Sequence, residues 1–170
     1  VSSSAASDVY KRQGKSSLLA SITSANPKIA NYKFTTLNPN LGVTIYDDKE
    51  ITLADIPGLI EGAHTGTGLG IKFLKHIERC KSLLHLIDIT ENNLEESYNQ
   101  VRNELGEYSS DLLKKDELIV LNKIDLLDEI EVNKKVKNFK TKTKKNVLLL
   151  STLRKDALMK VKAKLINYVS

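Results

Sequence analysis

Apolar residues recur along this chain in two rhythms. Leu18, Leu19 and Ile22 fall on one face of residues 15–25, with Pro27 just beyond, so the spacing predicts a helix. "NYKFTTLNPNLG", residues 31–42, is polar with Pro39 and Gly42 and is expected as a loop. "VTIYDDKEITLAD", residues 43–55, alternates on both sides of Asp-Asp-Lys, the signature of a hairpin. "IPGLIEGAHTGTGLG", residues 56–70, holds five of the eight glycines, and "IKFLKHIERC", residues 71–80, is an amphipathic helix.

Beyond that point the rhythm changes. "SLLHLIDI" (82–89), the start of "ELIVLNKIDLL" (117–127) and "NVLLLS" (146–151) are short and almost continuously apolar. Such runs suit strands covered on both faces. Between and after them lie helical patterns at 93–113, 130–139 and 155–169. Strands alternating with helices predict an α/β fold with a mostly parallel sheet, one antiparallel hairpin strand and helices on both faces. In such folds ligands sit beyond the carboxyl ends of the strands. The polar motifs of this chain fall at those ends.

Composition narrows the classes. The chain has 170 residues, 41% hydrophobic and 28% charged, within the range of one soluble globular domain. No apolar run approaches the roughly 20 residues of a membrane span. A single cysteine, Cys80, excludes an internal disulfide and points to a reducing cytosol. His64, His76 and His85 share no metal-ligand spacing. His76 and His85 are expected as surface or packing residues, and His64 lies in the glycine-rich loop. Net charge is +5, and seven of the 26 basic residues crowd into "KKVKNFKTKTKK", residues 134–145. That run suits a solvated helix face, or one set against RNA or membrane. Residues 1–13, "VSSSAASDVYKRQ", lack the apolar core of a signal peptide and look like translated adapter read-through, so they are set aside.

Three motifs carry chemistry. Gly14-Lys15-Ser16 opens the first helix. A glycine lets backbone N–H groups approach phosphate, and the helix dipole adds to the attraction. Lys15 is expected on the β- and γ-phosphates and the Ser16 hydroxyl on Mg²⁺. The full loop, G-x-x-x-x-G-K-[ST], requires a glycine where this chain has Val9. "ADIPGL", residues 54–59, places Asp55 for Mg²⁺ and the Gly58 N–H for the γ-phosphate. "NKID", Asn122 to Asp125, ends a buried strand and is the most specific signal. Guanine presents two adjacent N–H donors that one carboxylate accepts together. Adenine would leave Asp125 unpaired, which disfavours an ATPase or kinase. Asn122 is expected on the N7 edge of the base and the Lys123 stem over the ring. Thr36 is a candidate for Mg²⁺ and the γ-phosphate. "LLLST", residues 148–152, brings backbone N–H groups toward the guanine O6.

"YKFTTLNPNLGV", "ADIPGLIEGAHTGTGLGIKFLKHIERCKSLLHLIDI" and "NKIDLL" together resemble the GTPase domain of the Obg (CgtA) family of bacterial ribosome-associated GTPases. The resemblance runs from about Gly14 to the C-terminus, which makes residues 14–170 an OBG-type G domain. It implies a Ras-like P-loop fold, Mg²⁺, and slow hydrolysis of GTP to GDP and phosphate. It implies action as a cytoplasmic, monomeric switch in large ribosomal subunit assembly or stress response, touching rRNA and ribosomal proteins. Guanine tetraphosphate is a ligand it suggests. Carried over position by position, it adds Ser17, Phe34, Thr35, Ile56, Pro57, Ile124, Ser151, Thr152 and Leu153 to the GTP site, with Lys15, Thr36 and Gly58 in the catalytic role. Leu59 stands where Ras-like enzymes orient water with Gln, so turnover should be slow. The loop 58–70 is the expected switch, its glycines free to rearrange. The pattern departs from the family at the first loop glycine and at Arg12, which replaces an asparagine. The strand that should precede the loop is also lost or replaced. A non-hydrolysing ribosome- or RNA-binding module is the alternative.

Overall fold

The computed structural model describes residues 15–22, 28–29, 40–54 and 81–169. Its described strands form two three-stranded sheets. The first is antiparallel, with β1 (Lys28–Ile29), β2 (Asn40–Tyr46) and β3 (Lys49–Ala54) side by side. The second is parallel, with β4 (Ser82–Asp88), β5 (Asp116–Asn122) and β6 (Val147–Leu149) in that order. Among the described residues no strand joins β3 to β4, the place a central strand would take.

The continuous apolar runs are explained by two cores. Successive strand residues point to opposite faces. Leu86, Leu118, Val120 and Leu150 face one way. They pack with Leu18 and Ile22 of α1 (Lys15–Ile22) and with Ala157, Val161, Leu165 and Ile166 of α5 (Lys155–Val169). Leu53 of β3 joins the same cluster, so both sheets share it. Ile87, Ile119 and Leu121 face the other way, onto Leu94 and Tyr98 of α2 (Leu94–Tyr108) and Val132 and Phe139 of α4 (Glu129–Thr143). The expected α/β fold with a doubly covered parallel sheet is observed.

The hairpin turns at Asp47 and Asp48, both with positive φ (52° and 58°). Two residues in the left-handed region match the twist of the flanking strands, and Asp tolerates that region better than most residues. Five elements differ from expectation. Asn40, Leu41 and Gly42, read as loop, belong to β2, and β1 was not foreseen. The helix expected over 93–113 is two, α2 and α3 (Ser110–Leu113). Ser109 leaves the helical region at φ −156° and ψ 126°, and its hydroxyl accepts from Asp111 N at 3.3 Å. A serine that bonds its neighbour's amide offers an alternative to the helix ladder. The break folds Leu113 back until its Cδ1 lies 2.9 Å from where a Cβ on Gly106 would stand. The strand expected over 146–151 is shorter, and α4 runs on to Thr143, four residues past the expected end.

Helix α4 starts at Asp128, whose Oδ1 accepts from Glu131 N at 2.8 Å. Asp128→Ala should cost about 1 kcal/mol of stability, checked as a lowered urea midpoint with an unchanged slope. The lysines of "KKVKNFKTKTKK" divide. Lys134, Lys137, Lys140, Lys144 and Lys145 are exposed, Lys142 pairs with Glu95 at 2.9 Å, and Lys135 turns inward. No described helix is long and apolar enough to cross a membrane.

Candidate functional site

Parallel strands bring their carboxyl ends to one edge, and the described polar segments meet there. Strand β4 ends at Asp88, whose Cα pairs with Asn122 at the end of β5. Ile89 N donates to Asn122 O at 3.0 Å, so the two exits are joined. Asn122 is 2% exposed. After it, Lys123 turns into the left-handed region at φ 64° and ψ 33°. A non-glycine residue there is strained and persists only when its surroundings fix it. One tight turn, Ile124–Leu126, follows and leaves Asp125 exposed.

Strand β6 delivers the second segment. Leu150 N donates to Leu121 O at 2.9 Å, and Ile124 N donates to Leu150 O at 3.3 Å. The Asn122–Asp125 turn is therefore tied to the chain just before Ser151. Ser151 is fully buried, and its hydroxyl accepts from Leu153 N at 3.3 Å. Arg154 N donates to Ser151 O at 3.0 Å. Thr152 is half-buried and Leu153 is exposed.

The β4 exit carries residues that sequence reasoning missed. The Asp88 carboxylate accepts Lys123 Nζ on Oδ2 at 2.5 Å. Its Oδ1 accepts Thr90 N at 2.9 Å and the Thr90 hydroxyl at 2.7 Å. Burial pushes the Asp88 carboxyl up. The bonds from Lys123 and Thr90 and the lysine's charge outweigh it, and the group lies below the usual carboxylate range. Lys135 reaches across from α4 and donates to Ile89 O at 2.9 Å and Glu91 O at 2.7 Å. The signal available in sequence was a lone carboxylate ending an apolar strand. Lys135→Met should remove two charge-assisted bonds and cost roughly 2 kcal/mol. A urea midpoint equal to that of the unsubstituted chain would contradict it.

Of the sequence-predicted residues, the base-side set, Asn122 to Asp125 and Ser151 to Leu153, comes together. Lys15, Ser16 and Ser17 form the first turn of α1, with Ser17 exposed. Gly14, Phe34, Thr35, Thr36, Asp55, Ile56, Pro57 and Gly58 lie outside the described residues, as do His64, His76, Cys80 and the 58–70 loop. His85, expected as a surface or packing residue, is 7% exposed and held by Glu117.

A backbone cradle with an exposed carboxylate and a fixed lysine suits a base that offers N–H donors. Residues 10–123 match the 50S ribosome-binding GTPase family. The chain belongs to that family. Its resemblance to the Obg group is borne out by curated relatives. GTPase Obg of Pelagibacter ubique is 71% identical over 157 residues, covering 92% of this chain and 48% of that protein. GTPase Obg of Ehrlichia canis is 56% identical over 138 residues, 81% and 41% respectively. The chain thus spans less than half the length of these two relatives. In fold it is similar to the G domain of the T. maritima FeoB iron transporter, with a TM-score of 0.64 at 21% identity over 93% of this chain and 92% of that one. The cytosolic domain of that transporter in a GDP form gives 0.67 at 20% identity, over 91% and 58%.

Proposed function

We propose that this chain is a G domain that binds GDP and GTP at the carboxyl ends of its parallel strands. It hydrolyses GTP slowly and serves as a nucleotide switch in assembly of the large ribosomal subunit or in stress response. The observation that carries this is the tie between Ile124 N and Leu150 O. It sets the Asn122–Asp125 turn beside the Ser151–Leu153 segment at the end of the sheet. Asp125 accepts both guanine donors, Asn122 braces the turn, and the amides near Ser151 meet the base carbonyl. Residues 14–170 constitute this domain.

The phosphate side follows from sequence. Gly14 to Ser17 take the phosphates at the start of α1, where the helix dipole favours anions. Phe34 to Thr36 and Asp55 to Gly58 close the γ-phosphate end. Ser16, Thr36 and Asp55 offer hydroxyl and carboxylate oxygens, the hard donors that Mg²⁺ takes. When bound, Mg²⁺ neutralises charge developing on the transferred phosphoryl group. Lys15 supplies a fixed positive charge beside it, and Leu59 leaves the attacking water without a side-chain acceptor at that position. The partners are guanine nucleotides, including guanine tetraphosphate, and the rRNA and proteins of the large subunit. The setting is the cytoplasm and the chain acts as a monomer.

Phosphate release under single turnover tests the reaction. GTP with Mg²⁺ should turn over, while ATP, or GTP with chelator, should not. Equal release from ATP would overturn the guanine assignment. GDP binding without any release would favour the non-hydrolysing module.

A further inference from the structure

Lys123 occupies a costly place. It is one of four described non-glycine residues with positive φ, and it lies directly between Asn122 and the tight turn that presents Asp125. A lysine stem has four rotatable bonds and carries about 2 kcal/mol of rotamer entropy, so left alone it samples many directions. Here it does not stand alone. Its ammonium donates to Asp88 Oδ2 across 35 positions of sequence. Asp88 is 6% exposed, and its other oxygen is taken by both the amide and the hydroxyl of Thr90. The carboxylate therefore has little freedom to rotate away from the lysine. The backbone around it is fixed as well. Ile89 N is bound to Asn122 O, and Lys135 clamps Ile89 O and Glu91 O.

We propose that Asp88 is a positioning residue of the guanine site: held by Thr90, it fixes the Lys123 ammonium so that the lysine stem is preorganised along one face of the base. The assignment rests on the guanine-site reading above and deepens it. Asp88 itself does not touch the nucleotide, whereas Lys123 and Asp125 meet the base. Asp88 acts through Lys123, by removing beforehand the side-chain freedom that binding would otherwise have to remove. Its effect should fall on the base and spare the phosphates, because Lys15 and the amides at the start of α1 are a separate set of groups.

Two readouts on the full chain test this. In the first, GDP and inorganic tripolyphosphate are titrated with Mg²⁺ into the unsubstituted chain, Asp88→Asn, Asp88→Glu and Thr90→Val. The expected result is GDP binding about tenfold weaker in Asp88→Asn, partly restored in Asp88→Glu and weakened about threefold in Thr90→Val. Tripolyphosphate affinity should stay unchanged throughout. Equal losses for both ligands would mean a purely structural role and overturn the proposal, as would no loss for GDP. In the second, lysines are acetylated by an amine-reactive ester and quantified by mass spectrometry. Lys123 should react more slowly than exposed Lys134, and Asp88→Asn or Thr90→Val should speed it. Rates equal to Lys134 in the unsubstituted chain would overturn the proposal even where Asp88→Asn fails to fold. Absence of GDP binding by the unsubstituted chain would instead overturn the guanine-site reading itself, and this assignment with it.

Discussion

Glu117→Ala should lower the unfolding free energy of this domain by roughly 3 kcal/mol, the scale of breaking a buried ion pair from one side. The Glu117 side chain is 5% exposed and lies between β4, β5 and α2. Oε1 takes His85 Nδ1 at 2.9 Å, and Oε2 takes the Tyr98 hydroxyl at 3.0 Å with Arg102 Nη1 at 3.6 Å. An ionised carboxylate only accepts, so His85 Nδ1 carries a proton. The His85 ring stacks on Tyr98 at 5.3 Å, and Tyr98 meets Phe139 edge-on at 5.7 Å. Removing the carboxylate strands an imidazole N–H and a phenol in an apolar layer and leaves the Arg102 guanidinium only its bond to Leu113 O at 2.8 Å. Arg102 is 19% exposed at its side chain and recovers some water, which keeps the cost below the upper end of the range. Glu117→Gln keeps an acceptor and should cost less. Urea unfolding followed by circular dichroism checks both.

The same cluster sets an acid dependence. Burial pushes the Glu117 carboxyl up, but the His85 bond and charge, the Arg102 charge and the Tyr98 bond together hold it below the usual range. A carboxyl lowered in the native state contributes stability above its unfolded value, about 4.3, and loses it as pH falls through the native value. Wild-type stability should therefore fall more steeply below about pH 4.3 than that of Glu117→Gln. Tyr98 works at the other end. Burial first, then the Glu117 charge and bond, raise its phenol to about 12. Its contribution is present below about pH 10 and is lost as pH rises toward the native value.

Asp125→Asn should weaken GDP binding by about 100-fold or more and raise affinity for xanthosine diphosphate. The carboxylate accepts two guanine N–H donors at once, whereas an amide accepts one and turns its NH₂ against the other. Xanthine carries a carbonyl where guanine carries its amino group, so the amide finds an acceptor there. Sites built on such hydrogen bonds discriminate strongly because the wrong base leaves polar groups unpaired. Asp125 is exposed and its turn is held by backbone bonds, from Leu126 N to Lys123 O at 3.1 Å and Ile124 N to Leu150 O at 3.3 Å. Stability should therefore change by less than about 0.5 kcal/mol, which separates recognition from folding. An unchanged preference for GDP over xanthosine diphosphate would remove Asp125 from the base.

What the sequence disclosed and what it hid have physical reasons. The doubly buried strands were legible because Leu86 and Ile87, or Leu118 and Ile119, each need a core on their own face. The hairpin was legible from the two alternating runs around the Asp-Asp-Lys turn, although Thr44 is buried and Ile45 exposed. The break at Ser109 was hidden because Gly106 and Ser109 read as a mild interruption of a helix. Only the return of Leu113 onto Gly106 shows why the chain bends there. Residues 28–29 carry no strand pattern of their own and are recruited by pairing with Leu41 and Asn40. On the base side, Asn122, Lys123 and Asp125 were readable as a contiguous motif. Asp88 and Thr90 were not, because Lys123, the partner of Asp88, lies 35 positions away and the sheet alone brings it near.

The measurement that tests the central claim most directly is a paired titration of GDP and ADP, with Mg²⁺, followed by amide resonances. GDP should shift residues 122–126 and 150–153 saturably, while ADP leaves them in place at the same concentration. Equal shifts with both nucleotides, or shifts confined to other residues, would contradict a guanine site at the ends of β5 and β6.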